Sequence, residues 1–128
     1  MYEYEKYVTT PENLKDTIYK YGVAIIPSVL NDDECTSMQN EMWNYLEHIT
    51  QNWSIPIDRN NDKTWKEIIK LTNHSLLFEF WNIGHTQMAW NNRQNPKIVN
   101  IFAKFWNVKP EELLASFDAS SIYFPPSQ

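Results

Sequence analysis

Helix and strand signals follow one another without a gap near the amino terminus, and they constrain the fold more than any other feature of the sequence. Thr10 can cap a helix whose first position suits Pro11, and Gly22 lies where a left-handed residue would end it. Residues 23–26 are then a short apolar run, mostly β-branched, that Pro27 stops. The pattern predicts a helix that leads directly into a buried strand.

A second helix is predicted to start at Asn31, with Glu34 three residues later in the register of a capping box. Apolar residues then recur every three or four positions, which is typical of a helix with one packed face. These residues are Cys35, Met38, Met42, Tyr45, Leu46 and Ile49. Cys35 is the only cysteine, so the sequence holds no intramolecular disulfide and no thiolate zinc site, and we expect its thiol to pack on this face.

The middle of the chain gives weaker signals. Residues 52–63 are polar and lack periodicity, which indicates a long surface loop, and the sequence does not say whether it is a lid or a variable insertion. Trp65, Ile68 and Ile69 predict a short amphipathic helix after it. Residues 76–83 are largely apolar and fit a helix or a strand equally well, so this segment stays undecided.

The last third predicts one helix and one strand. Asn95 followed by Pro96 is again a cap with a proline at the first helical position, and Asn107 suits the end of that helix. Its expected inner side consists of Ile98, Val99, Phe102, Phe105 and Trp106. Residues 114–124 alternate well enough for a strand, and Pro125 ends it.

Composition fits one domain over residues 1–128. Aromatic residues make up 15% of the chain and bury large areas, which argues against disorder. The formal net charge is −5 and the basic residues are scattered, so we expect no nucleic-acid partner. The amino terminus lacks the pattern of a signal peptide, and no apolar run approaches the roughly 18 residues of a membrane span. We therefore expect a soluble cytoplasmic protein with no membrane partner.

None of the three histidines fits a site with two histidines and one carboxylate, which needs a close His-x-Asp or His-x-Glu pair. Residues two positions after His48, His74 and His85 are Thr, Leu and Gln. His74, Glu79 and His85 together are a conceivable ligand triad, but their spacing matches no regular presentation on a helix or strand. The sequence predicts no metal site.

Other catalytic patterns are also absent from the sequence. No serine lies in a Gly-x-Ser-x-Gly elbow, and Cys35 has no identifiable basic partner. The two glycines, Gly22 and Gly84, cannot build a phosphate-binding loop. Acidic pairs at 32–33 and 111–112 lie at expected helix starts, where they complement the helix dipole. We predict no catalytic residue in this chain.

Three segments together resemble phytanoyl-CoA-dioxygenase-like proteins. Residues 21–35 (YGVAIIPSVLNDDEC) resemble the opening strand of that family, which leads into a helix with an acidic cap. Residues 85–99 (HTQMAWNNRQNPKIV) resemble its HSQxxWxxRQxPKVV segment. Residues 113–120 (LLASFDAS) resemble its DLLVSFDG strand, with Ala119 where a glycine is usual. The resemblance covers nearly the whole chain, about residues 11–126.

The resemblance implies the fold and chemistry of an Fe(II)- and 2-oxoglutarate-dependent oxygenase. Its fold is a double-stranded β-helix, similar to a jelly roll, with helices at its amino-terminal side. The chain offers only two confident strands where such a barrel needs about eight, so we expect an α+β, helix-rich amino-terminal part with an incomplete barrel. The iron ligands of the family, a His-x-Asp and a later His, are expected after the 113–120 strand. We therefore expect no cofactor for this chain, and Fe(II) and 2-oxoglutarate only with a downstream part.

The resemblance carries no catalytic residue over to this chain. The positions that match the family's motifs are His85, Gln87, Trp90, Arg93, Ser116 and Asp118. We take them as scaffold or pocket wall, with packing or salt bridging expected for Trp90 and Arg93. The candidates for the wall of the pocket are Asp118, Tyr123 and Gln87.

Three functions follow as hypotheses. The chain is the amino-terminal part of an oxygenase, inactive by itself, or it is a non-catalytic binding or regulatory module, or it is a decayed gene product without a selected role. In the second case the strand at 114–124 would present an unsatisfied edge. We expect that edge to pair with a second copy of the chain or with a full-length relative.

Overall fold

The computed structural model describes residues 3–72, 77–79, 81–117 and 119–122. The α-helices are α1 (Leu14–Tyr21), α2 (Asp32–Thr50), α3 (Gln87–Gln94) and α4 (Pro96–Trp106). Short 3₁₀ helices span Glu5–Tyr7, Asp62–Leu71, Ile83–His85 and Pro110–Glu112. The strands are β1 (Leu77–Phe78) and β2 (Ser120–Ser121).

The chain forms two compact units. The first unit consists of Met1–Asp32 and Asn92–Ala115, and the second of Asp33–Asn91 and Ser116–Gln128. Both contain helices, and the second also contains the two-stranded sheet. The expectations of a single domain and of the helix-rich amino-terminal part of an incomplete β-helix barrel stay predictions.

In the first unit, α1 ends as predicted and begins later than predicted. Gly22 has a left-handed φ of 73° and donates its N–H to the carbonyl of Ile18 at 2.7 Å. The predicted start at Pro11 is wrong, because residues 11–13 form a turn before the helix begins at Leu14. That turn is closed by an i to i+3 hydrogen bond from Asn13 N–H to the Thr10 carbonyl, 3.1 Å long.

The buried strand predicted at 23–26 is wrong. Only Ile25 takes part in an isolated parallel bridge, with Val8. The Ile25 N–H donates to the Tyr7 carbonyl at 2.8 Å, and the Thr9 N–H donates to the Ile25 carbonyl at 2.9 Å. Ile25 is 37% exposed, so the segment is not buried either. A strand can be no longer than the run of residues that pair with it, and here only one residue on each side is paired.

Helix α4 carries both predicted caps. The Asn95 side chain accepts a hydrogen bond from Lys97 N–H at 2.9 Å, and Asn107 ends the helix with a left-handed φ of 57°. The predicted inner side is partly wrong, because Phe102 is 55% and Trp106 is 63% exposed. The rest of the first unit therefore covers only part of the apolar stripe of α4.

An ion pair links α4 to the residues before α1 within the same unit. Lys104 Nζ lies 2.5 Å from Glu12 Oε1. This hydrogen bond is the main reason why the pKa of Glu12 falls to about 2. Both side chains are largely exposed, so the pair is screened by solvent and contributes little to stability.

The core of the second unit is a cluster of buried aliphatic and aromatic side chains. Its members are Leu46, Ile57, Leu71, Phe78, Ile83 and Ile122. Helix α2 reaches this cluster through Met42, Trp43, Tyr45 and Ile49, in its second half. The predicted burial of Cys35 is therefore wrong, because the thiol lies in the first half of α2 and is exposed.

The loop after α2 follows the prediction, although the residues from Asp62 onward already belong to a 3₁₀ helix. Inside the loop, Ile57 is only 2% exposed and inserts into the core. That 3₁₀ helix is the predicted short amphipathic one, but Ile69 lies on its outer side and is 72% exposed. The buried positions of the helix are Thr64, Glu67 and Leu71, and Lys70 pairs with Glu67.

The undecided segment 76–83 contributes strand β1. Leu77 lies opposite Ser121 and Phe78 opposite Ser120 in an antiparallel pair. Of the strand predicted at 114–124, the described residues form only Ser120–Ser121. The pairing is limited to two residues because the partner strand β1 has only two. Leu114 is 99% exposed. In the part of the chain that the structure describes, no helix combines the length and the apolar sequence that crossing a bilayer needs.

Candidate functional site

A strained turn before the 3₁₀ helix Ile83–His85 shapes the candidate site. Trp81 and Asn82 have φ values of 64° and 57°, in the left-handed region that bulky residues rarely occupy. The Tyr45 hydroxyl of α2 donates to the Trp81 carbonyl at 2.7 Å. Burial raises the pKa of Tyr45 to about 12, so the hydroxyl remains a donor even at a pH where an exposed tyrosine loses its proton.

Next to this turn, three rings from separate parts of the second unit form an aromatic cluster, which consists of His85, Trp90 and Phe117. The imidazole of His85 stacks on Phe117 with 4.9 Å between ring centroids and 21° between planes. Trp90 meets Phe117 edge to face at 5.2 Å and lies 6.4 Å from His85. Such ring pairs stabilise beyond the area they bury. The side chain of Ile83 is buried in the core and anchors the segment to which His85 belongs.

The turn and the aromatic cluster border an open cleft of about 470 Å³. The cleft is lined by Glu79, Trp81, Asn82, Ile83, Gly84, His85, Phe117 and Ala119. Its described lining therefore offers aromatic faces, one carboxylate, one imidazole and one amide. These groups suit the binding of a small polar or cationic molecule better than covalent chemistry, since the described lining contains no serine, threonine, cysteine or lysine.

Of the three predicted pocket-wall residues, only Gln87 is among the described residues, and it does not line this cleft. Its Nε2 donates to Asn91 Oδ1 at 2.8 Å. Asn91 Nδ2 in turn donates to the Glu41 carboxylate at 3.0 and 3.2 Å. Gln87 borders a second, shallower groove together with Glu41, Asn44, Tyr45, His48, Thr86 and Met88. Asp118 and Tyr123 lie outside the described residues.

Within the described ranges, no three His, Cys, Asp or Glu side chains converge on a point where a metal ion could bind. Of the conceivable triad, Glu79 and His85 line the same cleft, and His74 lies outside the described residues. The described residues therefore do not fit an iron site. The absence of a metal site and of a cofactor from this chain stays a prediction.

Sequence reasoning missed the roles of Trp81, Asn82 and Phe117 in the cleft. Asn82 carried a weak signal, because asparagine tolerates a positive φ better than most residues. Trp81 carried no such signal in the sequence, because its conformation depends on a hydrogen bond from Tyr45, which lies 36 positions earlier in the chain. Phe117 lies inside a segment used for the family resemblance, but its contact with His85 is not visible in the sequence.

The chain is similar to a protein named "Ava biosynthesis cluster protein O" from Aspergillus versicolor. The two are 23% identical over 112 residues, which make up 87% of this chain and 34% of that protein. The chain thus spans about a third of the length of this relative. No family model and no solved structure matches the chain. The name of the relative places it in a biosynthesis cluster and states no reaction.

Proposed function

We propose that this chain is the amino-terminal part of a phytanoyl-CoA-dioxygenase-like oxygenase and is not catalytic by itself. The aromatic cluster carries the proposal. His85 and Trp90 come from one segment that resembles the family and Phe117 from another, and the three rings contact one another. Two motifs about thirty positions apart, recognised independently, thus form one packed feature beside a cleft.

The share of the relative's length that the match covers is consistent with this proposal. The match uses 34% of that protein, so about two thirds of its length has no counterpart in these 128 residues. In the proposed assignment, the described helices pack against the amino-terminal side of a double-stranded β-helix. The strands that complete the barrel, the His-x-Asp pair and the later His lie in a following segment.

Exposed apolar side chains in the first unit also support the proposal. Phe102, Trp106 and Leu114 are 55%, 63% and 99% exposed. Phe102 and Trp106 lie four positions apart on one face of α4, and an apolar helix face is a surface against which a further element can pack. Strands of a following segment would cover them in the proposed oxygenase. Cytoplasmic location and the lack of a nucleic-acid partner belong to the same proposal.

The intact mass and the sequence of the protein isolated from its natural source test the assignment. We expect an intact mass well above the 15.3 kDa of these 128 residues, and a following segment that contains a His-x-Asp pair and a later His. A mass of 15.3 kDa, or a longer protein without this ligand set, would contradict the assignment.

A binding module is the second candidate, and the small sheet favours it. Strand β2 belongs to a two-stranded sheet, and Phe117 just before it is 59% exposed. The segment 114–124 would then add a strand to a second copy of the chain or to a full-length relative. Light scattering tests pairing with a second copy of the chain, and a pull-down experiment tests pairing with the full-length relative. A monodisperse monomer that captures no relative would exclude this candidate.

A further inference from the structure

The exposed indole of Trp81 is held in place at an energetic cost, and the proposed oxygenase assignment gives it no role. A bulky residue with a positive φ is strained, and Asn82 extends the left-handed conformation by one more residue. The hydrogen bond from Tyr45 and the buried side chain of Ile83 hold the turn from both sides. As a result, Trp81, which is 51% exposed, stays at the border of the cleft.

The described lining of the cleft combines two aromatic side chains and one carboxylate with the His85 imidazole and the Asn82 amide. Trp81 and Phe117 both line the cleft, and Phe117 is 59% exposed although one side of its ring is stacked on His85. Glu79 supplies a carboxylate, whereas no lysine or arginine is present among the described lining residues. The formal net charge of the whole chain is −5, which also attracts cations.

We propose that this cleft binds a small organic cation of the quaternary or alkylated ammonium class. Aromatic faces attract a desolvated cation through their quadrupole, and they prefer a poorly hydrated trimethylammonium group to a hydrated metal ion. The Glu79 carboxylate neutralises the charge, and Trp81 and the part of the Phe117 ring that His85 leaves uncovered supply the aromatic surface. A cleft of about 470 Å³ has room for a molecule the size of choline. The inference uses the second unit alone and does not depend on the oxygenase assignment.

The test compares choline with its neutral carbon analogue, in which a tert-butyl group replaces the trimethylammonium group. The two have nearly the same shape, so their difference reports the charge. Binding to the 128-residue protein is followed by calorimetry and by the indole N–H signal of Trp81. We expect choline to bind at least about tenfold more tightly than the analogue and to shift the Trp81 signal.

Two variants and a matched control complete the test. Glu79→Gln keeps shape and removes charge, and Trp81→Leu removes the ring, so each should weaken choline binding about tenfold. Glu111→Gln changes an exposed carboxylate of the 3₁₀ helix Pro110–Glu112 and should leave binding unchanged. Circular dichroism verifies that all variants fold.

Three results would overturn the proposal. They are equal binding of choline and the neutral analogue, no binding of choline to the folded wild-type protein, and equal losses in Glu79→Gln and Glu111→Gln. Because choline binding requires no iron and no following segment, these outcomes are independent of whether the oxygenase assignment is right.

Discussion

At the residue scale, the hydroxyl of Thr50 is the most informative polar group, because it connects the end of α2 to the loop that follows. It is fully buried, donates to the Leu46 carbonyl at 2.8 Å and accepts the Ile57 N–H at 3.0 Å. Thr50→Val keeps the volume but leaves that N–H without its partner, so we predict a loss of about 1–3 kcal/mol. Urea unfolding measures this loss.

Thr50→Ser is the matched control for that prediction. It removes a methyl group and retains the hydroxyl, so the Ile57 amide should stay protected from hydrogen exchange in Thr50→Ser and lose protection in Thr50→Val. Equal protection of the Ile57 amide in both variants would show that the hydroxyl does not hold the loop.

The pair of Arg59 and Glu47 predicts a dependence of stability on pH. Arg59 donates to the Glu47 carboxylate from its side chain at 2.8 and 2.9 Å and from its backbone N–H at 2.9 Å. The hydrogen bond from the Arg59 side chain is the largest cause of the lowered pKa of Glu47. A carboxyl with a lowered folded-state pKa stabilises the fold above its ordinary value, near 4.5, and loses that effect as the pH falls through the lowered value.

We therefore expect Glu47→Gln to be less stable than the wild type at neutral pH. The difference should shrink on acidification below about pH 4.5, and also in high salt, because both side chains are about 30% exposed. Urea unfolding over a pH series measures it. A difference that grows on acidification would contradict the assigned role of the pair.

Contacts between distant residues explain why the site was only partly predictable from the sequence. The polar run that contains Arg59 correctly indicated a loop, but nothing local showed that Arg59 reaches back 12 positions to Glu47. In the same way, His85 and Phe117 were both part of recognised motifs, whereas their stacking depends on the folded chain. Sequence patterns report local preferences, and these contacts are not local.

At the element scale, helices were predicted better than strands. The ends of α1 and α4 are set by residues inside or next to each helix, such as Gly22, Asn95 and Asn107. The strands predicted at 23–26 and 114–124 needed partner strands, and the described partners are only one or two residues long. The alternating pattern was present in the sequence, but pairing decides how much of it becomes a strand.

The cap of α4 gives a prediction at this scale. Asn95→Ala removes the acceptor for the Lys97 N–H and should cost about 1 kcal/mol. Asn95→Asp keeps an acceptor in the same place and should retain most of the stability. Thermal or urea unfolding followed by circular dichroism compares the two variants. Equal losses in both would show that the side-chain cap does not stabilise the helix.

For the whole molecule, the exposed apolar surface of the first unit and the short sheet of the second bear on the proposed oxygenase assignment. The first unit exposes Phe102, Trp106 and Leu114, and among the described residues the sheet has two strands where a β-helix needs about eight. Both features agree with the proposal that a following segment supplies further strands. The histidines of these 128 residues form no His-x-Asp or His-x-Glu pair, which an iron site of two histidines and one carboxylate needs.

The most direct test of this account is Fe(II)-dependent consumption of 2-oxoglutarate by the complete natural protein, compared with residues 1–128 alone. We expect the complete protein to consume 2-oxoglutarate, this consumption to be lost when the downstream His-x-Asp pair is changed to Ala-x-Ala, and residues 1–128 alone to consume none. Consumption by residues 1–128 alone, or none by the folded and iron-loaded complete protein under any assayed condition, would contradict this account.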